Sequence, residues 1–135
     1  MCIRDRVNIE CETYTCDSTV AFSEKIFRLL ITPSLWVSYL GRYGVAYLES
    51  LGFDCMSDIV NHNHYDRLKE VENKVGVFTW FALETSKWAR DREFVPIQQR
   101  AIEASQHNQS LLKTYAQQWP SDFAQWQQTY LPKLA

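Results

Sequence analysis

Leu35-Trp36-Val37-Ser38-Tyr39-Leu40 is an almost wholly apolar run closed off by Pro33 on one side and Gly41 on the other. A strand with one wet face alternates apolar and polar side chains, whereas a strand buried on both faces reads as a continuous apolar run. This run therefore belongs inside a sheet that is covered on both sides. Upstream, Val7-Asn8-Ile9-Glu10-Cys11 alternates as a strand does, and Phe53-Asp54-Cys55 reads as a third short strand. Two amphipathic segments lie between them. Phe22, Ile26, Leu29 and Leu30 share a face of a helix with Ser23 as its N-cap and Pro33 as its stop. Gly44 to Leu51 turns Val45, Leu48 and Leu51 inward and ends on Gly52. Strand, helix, strand, helix, strand with short connections implies parallel strands and helical crossovers, which is half of a doubly wound sheet.

From residue 57 onward the pattern turns helical. Leu68, Val71, Val75, Phe78, Ala82 and Ala89 mark a stripe from about Asp66 to Arg90, and Ala101, Ala104, Leu111 and Tyr115 mark another from about Ile97 to Gln118. Pro120 is expected to separate the latter from a last helix, whose Phe123, Trp126 and Tyr130 pack on the fold or on a further domain. The expected fold class is thus α/β, a short parallel sheet in residues 7–56 under a helical cover in residues 57–135. No linker divides the 135 residues, so they read as a single domain. Residues 1–6, Met-Cys-Ile-Arg-Asp-Arg, have no periodicity and read as a non-native leader. The strand at Val7 has no turn or cap ahead of it, and the native protein is expected to begin well upstream.

Composition narrows the function classes. With 46% hydrophobic and 22% charged residues the chain is globular rather than disordered, and a net charge of -2 supplies no general field for nucleic acid or an anionic membrane. Cys2, Cys11, Cys16 and Cys55 form no C-x-x-C and no zinc-ligand spacing. Reduced thiols and a cytoplasmic location are expected, with no membrane span. His62, His64 and Asp66 make an incomplete ligand set that nothing completes, so no metal is expected. His107 is expected to be a structural, hydrogen-bonded residue.

The junction between the first strand and the first helix, Thr13 to Lys25, is the strongest candidate for chemistry. In open parallel sheets ligands sit at the carboxyl ends of the strands, and a helix start offers N–H groups and a positive dipole end to an anion such as a phosphate. Lys25 in the first turn would add a local cation, and Glu24 would accept hydrogen bonds from sugar hydroxyls. The plainer reading of the same residues is that Ser23 caps, Glu24 offsets the dipole and pairs with Arg28, and Lys25 is solvated.

Cys11-Glu12-Thr13 followed by Phe22-Ser23-Glu24-Lys25-Ile26-Phe27 resembles the "E-T … F-(T/S)-E-K" region of a glycosyltransferase-like family of phages and environmental bacteria, a signature similar to the donor-binding motif of fucosyltransferases. Tyr47 to Phe53 is similar to that family's "L-x-x-L-G-F", His64-Tyr65-Asp66 to its "x-Y-D", and Gln106-His107-Asn108 to its late "x-H-N". The matches keep their order over residues 11 to 108. The stretch Leu40 to Tyr43 departs from the family in lacking a Gly-Pro turn. The resemblance implies a Rossmann-like half of a GT-B fold, the C-terminal domain that binds a nucleotide-sugar donor. Its partners would be that nucleotide sugar, a glycan or other hydroxyl acceptor, and an N-terminal domain outside this chain. It also implies donor-binding roles for Glu12, Thr13, Ser23, Glu24 and Lys25: Glu24 on ribose or sugar hydroxyls, Lys25 on the pyrophosphate, Glu12 and Thr13 shaping the adjoining loop. No cofactor follows from it, since such enzymes stabilise the leaving diphosphate with basic side chains and a helix start. The catalytic residues remain unassigned. The rival expectation is a non-catalytic interaction module with no small-molecule site.

Overall fold

A computed structural model describes residues 7–11, 22–68, 74–91 and 94–130. The order is strand β1 (Val7–Cys11), helix α1 (Glu24–Ile31), strand β2 (Leu35–Tyr39), helix α2 (Gly44–Ser50), a single 3-10 turn at His62–His64, and helices α3 (Lys74–Asp91) and α4 (Phe94–Tyr130). The architecture is mixed α/β and mostly helical. β1 and β2 run parallel with Val7 opposite Leu35 and Cys11 opposite Tyr39. Every residue of β2 is buried, as its unbroken apolar run requires.

Both early helices obey their sequence signals. The Ser23 hydroxyl accepts from the Lys25 amide at 3.2 Å and caps α1, which buries Ile26, Leu29 and Leu30 and stops two residues before Pro33. Each of those three side chains contributes about 1.5–3 kcal/mol by leaving water. α2 ends in a Schellman turn: Gly52 at φ 91° donates to Glu49 O at 2.9 Å, and Phe53 donates to Leu48 O at 3.1 Å.

Three expectations are corrected. Phe53-Asp54-Cys55 is not a third strand, and among the described residues the sheet has two strands. Its backbone groups are claimed by other partners. Asn108 takes both the N–H and the C=O of Asp54, and His62 takes the C=O of Cys55. Next, no helix runs from Asp66. Asp66 and Arg67 lie in a turn, and α3 begins at Lys74, with Val71 and the rest of 69–73 outside the described residues. Of the stripe assigned to that helix, Phe78, Ala82 and Ala89 are buried but Val75 is 59% exposed.

The third correction concerns Pro120, which lies inside α4 rather than between two helices. Its missing N–H leaves the Ala116 carbonyl without an intrahelical donor, and because the helix is solvent-exposed there, water can take that role. Ala101 and Ala104 are buried and Leu111 is half-buried as expected, but Tyr115, expected on the same inward stripe, is 38% exposed, its hydroxyl reaching Leu51 O. The side chains of Phe123, Trp126 and Tyr130 fall outside those described.

α3 packs against both strands and α4 against α1. Tyr39 of β2 meets Phe78 of α3 edge-on at 5.3 Å, and Tyr65 packs on Phe78 and Phe81 at 5.2 and 5.4 Å. No helix among the described residues is long and apolar enough to cross a membrane.

Candidate functional site

The carboxyl end of β2 runs through Leu40 and Gly41 into a tight turn and then into α2. Gly44 donates to Gly41 O at 2.9 Å, and Tyr43 takes up a left-handed conformation at φ 62°. The turn brings two backbones close. A Cβ placed on Gly44 would stand 2.5 Å from the Leu40 Cβ, which explains glycine there. Asp66, almost fully buried, holds the turn from the other side. Its backbone carbonyl accepts from Tyr43 N at 2.8 Å, Oδ1 from Val45 N at 2.9 Å and Oδ2 from Ala46 N at 3.1 Å. The start of α2 is therefore filled by the protein's own carboxylate.

The start of α1 lies beside α2. Phe22 stacks on Tyr47 of α2 with ring centroids 6.0 Å apart and planes 23° from parallel, while Phe27, one turn further on, meets Phe53 at 6.4 Å. This places Ser23, Glu24 and Lys25 next to the helix that leaves the carboxyl end of β2. Arg42 lies in the turn between β2 and α2. Its Nε donates to Arg67 O at 2.9 Å, its Nη2 to the Tyr43 hydroxyl at 3.0 Å, and its guanidinium sits 4.6 Å from the centre of the Tyr43 ring. Tyr43 and Tyr47 remain about half exposed. Of the five residues expected to bind a donor, Ser23, Glu24 and Lys25 are thus together, and Glu12 and Thr13 lie outside the described residues, as does Cys16.

The remaining motif residues are structural. His62 is buried, with Nε2 at 2.9 Å from Cys55 O and Nδ1 at 2.7 Å from the Tyr65 hydroxyl. The carbonyl can only accept, so Nε2 carries the proton and Nδ1 accepts from Tyr65. Desolvation pushes His62 down to about 4, the Cys55 carbonyl opposing it, and burial pushes the Tyr65 hydroxyl and the Cys55 thiol upward. His62, with both nitrogens committed, and Asp66, capping α2, are thus engaged separately, while His64 stacks on Phe81 at 5.3 Å. Among the described residues no group of three or more His, Cys, Asp or Glu is arranged to hold a metal ion.

His107 bonds Gly52 O at 2.8 Å through Nε2, the structural role expected of it. Asn108 reaches Leu30 O and Asp54. Arg42 was not singled out by sequence, although it directly follows the glycine that ends the apolar run, and Tyr47 was named only as the first residue of the "L-x-x-L-G-F" match. A separate cleft of about 300 Å3 lies between residues 59–61 and α3. In comparisons with known proteins, no family model, no curated protein and no solved structure matches this chain.

Proposed function

We propose that this chain is the nucleotide-sugar-binding part of a glycosyltransferase of the GT-B kind, a Rossmann-like half that needs a second domain to complete the cleft. The observation that supports the reading is the Phe22–Tyr47 stack, which puts the residue before the Ser23 cap of α1 against α2, the helix that follows β2. Parallel strands, a helix start and local cations at the carboxyl end of the sheet suit a diphosphate. In this reading Lys25 and Arg42 meet the diphosphate, Glu24 meets sugar hydroxyls, and Tyr43 and Tyr47 offer ring faces to the base or sugar. Glu12 and Thr13 would contribute from the adjoining segment. The base that deprotonates the acceptor hydroxyl would come from the second domain or from the cleft between the two.

Amide chemical shifts followed during titration with uridine, guanosine and adenosine diphosphates test this. Contacts on one side only give a dissociation constant of roughly millimolar, about -4 kcal/mol. Shifts gathered on residues 22–25 and 41–47, weakened at least several-fold by Lys25→Ala, support the reading. An unchanged spectrum, or shifts that ignore Lys25→Ala, overturns it.

One observation favours the rival, a protein-interaction module. Val75, Trp80 and Leu83 stand exposed on α3, at spacings that share one face. Self-association or partner capture lost on Trp80→Ser, in a protein that binds no nucleotide, would decide for it.

A further inference from the structure

The cleft between residues 59–61 and α3 shares no residue with the α1–α2 surface. Its α3 side is a single stripe, Phe81, Glu84, Thr85 and Trp88, at spacings of three and four, and Ile59 and Asn61 close the other side. About 300 Å3 is at the small end of ligand cavities, room for one ring rather than a nucleotide. Thr85 is only 8% exposed, yet among the described residues no side-chain hydrogen bond is made by its hydroxyl. Buried hydroxyls in folded proteins are almost always partnered, and this one lines a cleft. The Asn61 side-chain amide, with two donors and an acceptor, likewise makes no hydrogen bond among the described residues.

Charge selects the ligand class. Glu84 lines the cleft, and a carboxylate there disfavours an anion. Its Oε1 already accepts from Lys87 Nζ at 2.7 Å, so a cation would have to compete with that ammonium for it. The remaining chemistry is two aromatic rings, a hydroxyl, an amide and a carboxylate oxygen within one small volume. That combination matches an uncharged ring with an apolar C–H face and hydroxyls around its edge. We propose that this cleft binds a single neutral pyranose ring, its C–H face against Trp88 and its hydroxyls on Thr85, Asn61 and Glu84. The proposal does not rest on the diphosphate reading, and either can fail alone.

The test uses the whole chain and methyl glucoside, galactoside and fucoside as probes, followed by amide shifts and by Trp fluorescence up to about 100 mM, the range suited to a weak one-ring ligand. At least one glycoside should perturb residues 59–61 and 81–88 with millimolar affinity. Thr85→Val, which keeps the volume and removes the hydroxyl, should weaken that affinity about tenfold, the loss of one hydrogen bond at a buried site. Asn61→Ala, at an exposed position that leaves the fold untouched, should weaken it several-fold and serves if the threonine variant misfolds. Absence of perturbation with all three glycosides overturns the proposal. So does equal or tighter binding of cyclohexylmethanol or of choline, because either would show a cleft that reads shape or charge rather than hydroxyls.

Discussion

The side-chain amide of Asn108 receives the Asp54 N–H at 2.8 Å and donates to the Asp54 C=O at 3.0 Å, so one side chain on α4 satisfies both backbone groups of a residue 54 positions earlier. The same amide nitrogen reaches Leu30 O at the end of α1, also at 3.0 Å. Asn108 is 1% exposed, so these groups are held away from solvent. Asn108→Leu keeps the approximate volume and strands an N–H and two carbonyls. A loss of roughly 3 kcal/mol or more is expected, since each orphaned buried group costs about 1–3 kcal/mol. Urea unfolding with an unchanged m value measures it.

Acid should weaken the fold through His62. The ring is neutral when folded and titrates at about 4, against 6.5 when solvated. Between those values the unfolded chain binds the extra proton, so stability is whole above pH 6.5 and falls as pH drops toward 4. The groups facing the ring are the Tyr65 hydroxyl, the Cys55 carbonyl and the Trp36 indole, and none offers a negative charge to an imidazolium. The loss amounts to about 2–3 kcal/mol across that window. In His62→Gln the slope of stability against pH should flatten between 4 and 6.5, which denaturation at stepped pH reads directly.

Gly44→Ala should cost about 1–3 kcal/mol by overpacking, because the new methyl lands on the Leu40 Cβ, an atom fixed by backbone rather than the end of a flexible chain. Tyr43→Gly at the neighbouring left-handed position relieves about 1 kcal/mol of backbone strain, though it also removes the ring under Arg42. Thermal midpoints of the two variants, compared with the parent, should therefore move by clearly different amounts.

Arg100 clasps two carboxylates, Asp54 through both oxygens at 2.7 and 2.8 Å and Asp58 at 2.7 and 2.9 Å. The guanidinium holds the Asp54 carboxyl below its usual range, against the opposing effect of burial. That part of the stability is present above the ordinary carboxylate range and is lost as pH falls through the depressed folded value. Arg100→Gln leaves two neighbouring carboxylates without their cation. Because all three groups are partly solvated, a loss of about 1–2 kcal/mol is expected, smaller at high salt. Chemical denaturation at low and high ionic strength checks both statements.

Local rules made the first half legible where a residue acts on its own neighbours. Ser23 caps the helix it begins, Gly52 ends the helix it follows, and the run from Leu35 to Leu40 needs no distant information to read as a buried strand. The failures share a cause. Residues 53–55 have strand-like side chains, but Asn108 and His62 capture their backbone groups from far along the chain. Asp66 reads as a helix beginning, yet its carboxylate serves α2. Pro120 carries its usual breaking signal, but inside α4 the carbonyl it leaves without a donor faces solvent. At the site, Ser23 to Lys25 was visible as a motif. Arg42 and the Thr85 cleft were not, since each gains meaning only from a segment elsewhere in the sequence.

The helix α4 also accepts the loose ends of both early helices. Ser105 donates to Ile31 O, Asn108 to Leu30 O, His107 bonds Gly52 O, and Tyr115 donates to Leu51 O at 2.6 Å. On the ribosome this has a cost in time. At about 5–20 residues per second, the chain through Asp54 waits on the order of 3–10 s before Asn108 is made. During that interval the nascent first half has its strands and helix starts but no partner for these carbonyls. The newborn chain should accordingly stay sensitive to protease and dependent on chaperones until α4 emerges, and then close in one step.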